Sequence, residues 1–426
     1  MPDLVTRNLM PFGQRMLSVF PVAVIQGARR VGKSTFAKML AADRTHVSLT
    51  LDDEEVRRQA LDDPRTLAGQ GGDGLLVIDE IQRAPELLLA IKAEADRHPR
   101  PGRFLLTGSS DLLRMSRTPD SLAGRAVTLP LMGFSRGELV GVRDDFGSQI
   151  RSGHIQDPWR GFVSEWTRAD YAAAVCQGSY PEALRLTDDD RPVWLRSYLD
   201  RLLRRDVQAI GRAIPATRLR AMLRLLAANQ SGELVLSRLA DQLGASGPTV
   251  RGYVDVLETM YLTSSLPPWA ANLTKREVGR TKVSVQDSAL AALLARTSPA
   301  KLTSLATAEY FGALLEGFVT TELLKQQTWT AEPFELFHFR DRDGLEVDIV
   351  MEFEDGGVFL IEVKASQTYR SDYFAPMKRL ADKLGDRFLG GAVFGTAQFT
   401  FQHADRLWGL PIAALWAGPI SHRNVH

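Results

Sequence analysis

One stretch near the N-terminus constrains the fold more than any other. Gly27-Ala28-Arg29-Arg30-Val31-Gly32-Lys33-Ser34-Thr35 follows the spacing G-x-x-x-x-G-K-[ST]. The two glycines let the backbone curl so that successive N–H groups point inward, which makes a cradle for phosphate oxygens. Lys33 places a point charge on the β- and γ-phosphates, and the Ser34 hydroxyl can bind Mg2+. Val22–Ile25 reads as a short buried strand and Ser34–Ala42 as a helix. That strand–loop–helix order aims a helix N-terminus at the phosphates, so a nucleoside triphosphate site is expected here.

A second motif belongs with the first. Leu75-Leu76-Val77-Ile78-Asp79-Glu80 is an apolar run ending in two carboxylates, as a strand buried on both faces of a parallel sheet would be. Asp79 is the expected partner of Mg2+ beside Ser34, and Glu80 the group that polarises the attacking water. A third strand, Arg103–Thr107, runs into Gly108-Ser109-Ser110, so Thr107 and Ser109 are candidate γ-phosphate sensors. Arg125, in Leu122-Ala123-Gly124-Arg125, is a candidate finger reaching a phosphate in a neighbouring subunit, against the plainer reading of a salt-bridged surface arginine.

With 426 residues the chain is too long for one core, and two or three domains are expected. Its 52 basic and 51 acidic residues exert no global pull on nucleic acid. Any such surface must come from local clustering. The lone Cys176 excludes an intramolecular disulfide and fits a reducing compartment. No stretch approaches the roughly 18 apolar residues of a membrane span, and the N-terminus lacks a secretory pattern. A cytoplasmic protein without a membrane partner is expected.

Residues up to about 140 alternate strand and helix signals, as an open parallel sheet requires. The polar stretch Arg143–Trp166 reads as a loop or linker, and helical signals resume at Asp170. Between Arg196 and Arg224 eight arginines stand against two aspartates. They are a solvated helix face, or arginines paired with acidic partners in the first domain, or a nucleic-acid contact, or arginines that reach bound nucleotide, for which Arg204 and Arg205 are the best placed. Leu236–Val250 has an apolar helix, a Gly-containing turn and a second helix opened near Ser246, Pro248 and Thr249, which spells helix-turn-helix. Leu262–Leu266 and Lys282–Val285 are candidate wing strands, and Ser246, Thr249 and Arg251 candidate groove-facing residues.

Near the C-terminus, Leu345–Met351 and Val358–Lys364 read as two strands joined at Gly356-Gly357. Glu362 and Lys364, two apart, share a face, and hairpin pairing would bring Asp348 beside them. Asp348 and Glu362 could hold a metal while Lys364 orients water, as phosphodiester hydrolysis requires. Glu316, on the helix Tyr310–Lys325, could add a third carboxylate. A surface salt-bridge cluster, or a nuclease-like core that does not cut, competes with that reading.

The order of these motifs resembles the prokaryotic AAA-type ATPases that carry a C-terminal domain of unknown function. The matching pieces are GARRVGKST, LLVIDEIQRAPELL, LLTGSS, SLAGR, GSYPEAL, YLDRLLRRDV, LADQLGASGPTV, KVSVQDSAL, FRDRDGLEVDIV and LIEVKAS, spread from about Arg7 to Ser366. The resemblance implies an α/β fold: a P-loop NTPase parallel sheet of AAA+ type over 1–145, a linker and helical segment over 146–215, a winged helix-turn-helix over 216–285 and a restriction-endonuclease-like PD-(D/E)xK domain over 286–426. It also implies ATP as the nucleotide, with Mg2+, and a homo-oligomer. One departure is visible, since Thr107 and Ser109 stand where AAA+ proteins commonly have an asparagine sensor. Two functions follow as expectations: an ATPase acting on DNA or RNA, with a nuclease-like domain, or an ATP-switched scaffold acting on a protein partner, with that domain as a docking surface.

Overall fold

The computed structural model describes residues 5–109, 122–152, 159–209, 214–271, 276, 279–304 and 307–417, with a few side chains of the helix Asp190–Ala209 excepted. The chain forms two compact units, Met1–Phe134 with Thr259–Tyr261, and Ser135–Glu258 with Leu262–His426.

The smaller unit is a five-stranded sheet of β1 (Val22–Gln26), β2 (His46–Thr50), β3 (Leu75–Asp79), β4 (Phe104–Gly108) and β5 (Ala126–Pro130). Its order is β2-β3-β4-β1-β5, and every pairing is parallel. The three central strands are the apolar runs. Val22, Leu76, Ile78, Phe104 and Leu106 are buried together with Leu87 and Ile91 of the helix Leu87–Arg97. The edge strand β2 is mostly exposed, so it carries polar residues where β1 and β3 are apolar. In such a sheet, ligands gather at the carboxyl ends of the strands. β4 lies between β1 and β3, so the residues that end it fall between the Gly27–Ser34 loop and Asp79.

The larger unit contains two sheets. A small antiparallel one has the order β6-β8-β7, from β6 (Gly232–Glu233), β7 (Thr263–Leu266) and β8 (Lys282–Val285). The helices Leu236–Leu243 and Gly247–Thr259 precede β7. They are separated by Gly244 in the left-handed conformation that a short turn demands. A mixed six-stranded sheet has the order β13-β14-β12-β11-β10-β9. It is built from β9 (Phe334–Arg340), β10 (Glu346–Phe353), β11 (Val358–Val363), β12 (Phe388–Gly395), β13 (Phe401–Ala404) and β14 (Leu407–Pro411).

The segment expected to be a loop, 143–166, departs from that reading. Phe146–Arg151 is a helix, with Asp145 capping it through Ser148 N–H. Phe146 stacks on Trp159 at 5.1 Å between centroids and packs against Phe359 of β11 and Phe394 of β12. Burial of two large aromatic side chains outweighs the polar composition around them. The motifs GSYPEAL and KVSVQDSAL also meet: Asp287 accepts from Ser179 N–H and Oγ, both at 2.8 Å, while capping the helix Ser288–Leu294 through Leu290 N–H.

Candidate nucleotide site and a carboxylate–lysine cluster

The loop between β1 and the helix Lys33–Ala41 has the backbone that its glycines permit. A Cβ on Gly27 would lie 2.0 Å from the Leu131 carbonyl oxygen, so no other residue fits without moving β5's exit. Gly32 caps the helix at φ 96°, a left-handed value that favours glycine. Lys33 is buried, and its ammonium group donates to the Gly27 and Ala28 carbonyls at 3.0 and 2.9 Å. Arg30 also has positive φ.

The Asp79 carboxylate meets this loop. Ser34 Oγ lies 2.9 Å from both Asp79 oxygens. A hydroxyl and a carboxylate meeting at one point are the hard oxygen donors that suit Mg2+, which keeps several waters of its own. When bound, that ion would supply charge neutralisation at the phosphates, with Ser34 and Asp79 holding it.

Glu80 is a non-glycine residue at φ 60°, ψ 42°, a conformation that costs energy and concentrates at functional positions. Thr107, fully buried on β4, explains how it is held. Its hydroxyl accepts from Glu80 N–H at 3.1 Å and donates to Asp79 Oδ1. Gln82, which the sequence reading passed over, donates to Glu80 Oε2 and to Ser109 Oγ, the latter at 2.9 Å. Its only signal in the sequence is its place two residues after Glu80. Arg125 pairs with Asp96, with Nη2 to Oδ2 at 3.1 Å, and donates to the Ala123 carbonyl. Ser110, Arg212 and the Arg205 side chain lie outside the described residues.

Thr107→Val tests this positioning, since it keeps the shape and removes both hydrogen bonds. Turnover should fall about tenfold and stability by about 1–3 kcal/mol, the cost of an orphaned buried N–H. Thr107→Ser should restore both. Equal turnover in Val and Ser variants would exclude a positioning role.

In the larger unit, the structure brings together all four residues expected there. Glu362 and Asp348 face each other on adjacent antiparallel strands, and Lys364 Nζ is 2.6 Å from Glu362 Oε2 and 3.4 Å from Asp348 Oδ2. Lys282, at the start of β8, joins them unannounced. Its ammonium group lies 2.8 Å from Glu316, 3.0 Å from Glu346 and 3.9 Å from Asp348. Burial drives the Glu362 and Glu316 carboxyls up, Glu316 to about 8, with the Asp348 charge adding to both. Burial would raise Asp348 too, but the Lys364 and Lys282 ammonium groups and the Val363 N–H hold it below the usual range. Nothing in K-V-S-V distinguishes a buried lysine from a surface one, because its partners lie 34 to 66 residues away in sequence.

Among the described residues, no helix is long and apolar enough to cross a membrane.

Comparison with known proteins agrees with this division. Residues 19–140 match the family model of an AAA domain, while 168–301 and 311–415 match two domains of unknown function, DUF8612 and DUF4143. Uncharacterized proteins of Mycobacterium tuberculosis and Mycobacterium bovis are each 29% identical over 357 residues, 83% of this chain and 73% of theirs. Among solved structures, a Walker-type ATPase of Pyrococcus abyssi is 16% identical over 68% of this chain and 96% of its own, with a TM-score of 0.44. AMPPCP-bound DnaA from Aquifex aeolicus is 11% identical over 59% and 85%, with a TM-score of 0.28. With its all-parallel sheet, its glycine-bracketed loop and its Ser34–Asp79 contact, the N-terminal part of the chain has the build of a P-loop nucleotide-binding domain, and its residues 19–140 match the AAA domain model.

Proposed function

We propose that the protein hydrolyses Mg·ATP at the Gly27–Thr35 loop and uses the nucleotide cycle to act on DNA or RNA. The observation that carries the hydrolytic part is the linkage Ser34–Asp79–Thr107–Glu80, in which Ser34 ties the loop to the Asp79 carboxylate and the buried Thr107 hydroxyl ties that carboxylate to the Glu80 backbone N–H. Lys33 would bind the β- and γ-phosphates, the loop N–H groups would hold them, and Glu80 would orient water and take its proton. Arg125 would act across a subunit boundary in an oligomer after exchanging Asp96 for phosphate.

The nucleic-acid part rests on the arginine-rich helices Asp190–Ala209 and Ala216–Ala228. Arg218 and Arg220 are engaged internally, with the Leu243 carbonyl and with Asp200. Arg196, Arg201, Arg204 and Arg224 are exposed, as phosphate-binding side chains must be. We assign the larger unit as a helical segment over 146–215, a winged helix over 216–285 and a nuclease-like fold over 286–426. Its antiparallel β6-β8-β7 sheet, with two helices between β6 and β7, and its mixed sheet carrying Asp348 and Glu362, favour that assignment.

The test is the steady-state ATPase rate with and without single- and double-stranded DNA and RNA, with Lys33→Ala as blank. Stimulation that fades as salt rises is expected. Hydrolysis indifferent to every nucleic acid, with no salt-sensitive binding, would move the target to a protein partner.

A further inference from the structure

The residue set Glu316, Asp348, Glu362 and Lys364 invites a divalent metal, yet its geometry does not fit one. Inner-sphere Mg2+ needs several oxygens free to converge at about 2.1 Å. Here both Asp348 oxygens are in use. Oδ2 accepts from Val363 N–H at 2.9 Å and faces Lys364 Nζ, while Oδ1 is turned toward Lys282. Both Glu362 oxygens are engaged as well, Oε1 by Asp348 N–H at 3.3 Å and Oε2 by Lys364 Nζ at 2.6 Å. Lys282 supplies an ammonium group, which has three donors, and its neighbours are three carboxylates: Glu316, Glu346 and Asp348. The Lys282 side chain is only 5% exposed. Among the described residues no group of three or more His, Cys, Asp or Glu is arranged to hold a metal ion.

We propose that Lys282 holds the cation position of this cluster, and that the cluster is a metal-independent ionic clasp, not a divalent-metal centre. The lysine comes from β8 of the small sheet. Glu316 comes from the helix Ala308–Gln327, and Glu346 and Asp348 come from β10 of the large sheet. One ammonium group thus ties three elements together. A divalent ion could enter only by expelling a buried, charge-paired lysine, which would strand that charge away from its partners. The clasp then joins β8 to the nuclease-like fold through Glu316 and Asp348, two of the side chains that would otherwise hold a metal.

The experiment is a titration of nucleotide-free, full-length protein with Mn2+ up to about 1 mM, a stand-in that binds oxygen sites more tightly than Mg2+. Free Mn2+ is read by electron paramagnetic resonance. Wild type is compared with the double variant Asp348→Asn, Glu362→Gln, so that any ion retained at Ser34 and Asp79 cancels. Equal uptake is expected, together with a wild-type Tm unchanged between EDTA and Mn2+. Lys282→Met should gain a site at least ~10-fold tighter, because its carboxylates lose their counter-charge. Uptake by the wild type that the double variant loses, or a Tm raised by Mn2+ only while Asp348 and Glu362 are intact, would overturn the proposal. So would a folded Lys282→Met that gains no site. The wild-type comparison decides the matter even if Lys282→Met fails to fold.

Discussion

Glu80→Gln is expected to bind ATP within about twofold of wild type while kcat falls on the order of 10²- to 10⁴-fold, the usual worth of a positioned general base. The amide is the same size as the carboxylate, and Glu80 is placed through its backbone N–H to Thr107, which the change leaves intact. What it removes is the oxygen able to take a proton from water. Binding and turnover should therefore separate cleanly in equilibrium nucleotide binding and single-turnover hydrolysis. The Gln82 amide meets Glu80 Oε2, and it can meet the glutamine oxygen in the same way. Retained turnover would move the base elsewhere.

Lys33→Ala should weaken Mg·ATP binding roughly 100-fold or more, about 3 kcal/mol at the upper range for a charge-assisted contact. The Lys33 ammonium group is buried and held by the Gly27 and Ala28 carbonyls at the mouth of the loop, so little ordering cost stands between it and the phosphates. The folded protein should survive the change, because its lost partners are loop carbonyls that water can reach once the side chain is gone. Titration calorimetry with a non-hydrolysable analogue measures the effect directly. Affinity equal to wild type would refute the site.

The nucleotide site was legible in the sequence because its parts are local. Gly27, Gly32, Lys33 and Ser34 act within one turn of backbone, and an apolar strand ending in Asp79-Glu80 announces itself by hydrophobicity alone. Thr107 was legible only as a hydroxyl at a strand end; that it binds Asp79 and Glu80 together depends on β4 lying next to β3. The helix Phe146–Arg151 was not legible, because the surroundings of Phe146 are polar and its partners Phe359 and Phe394 lie far along the chain. At the C-terminal cluster, the two-residue spacing of Glu362 and Lys364 gave their common face, while Glu346 and Lys282 carried no signal.

By itself, then, the sequence determined the chemistry that short-range spacing encodes: the phosphate-binding loop, the paired carboxylates after β3, and the shared face of Glu362 and Lys364. Only the tertiary structure decided which charges meet. Asp348 is met by Lys282, an ammonium group from a different sheet, while Glu362 is met by Lys364, which follows it on the same strand segment. Spacing along a strand fixes where a side chain points, but the local field that decides whether a carboxylate holds a metal or a lysine is summed over elements that only folding brings together.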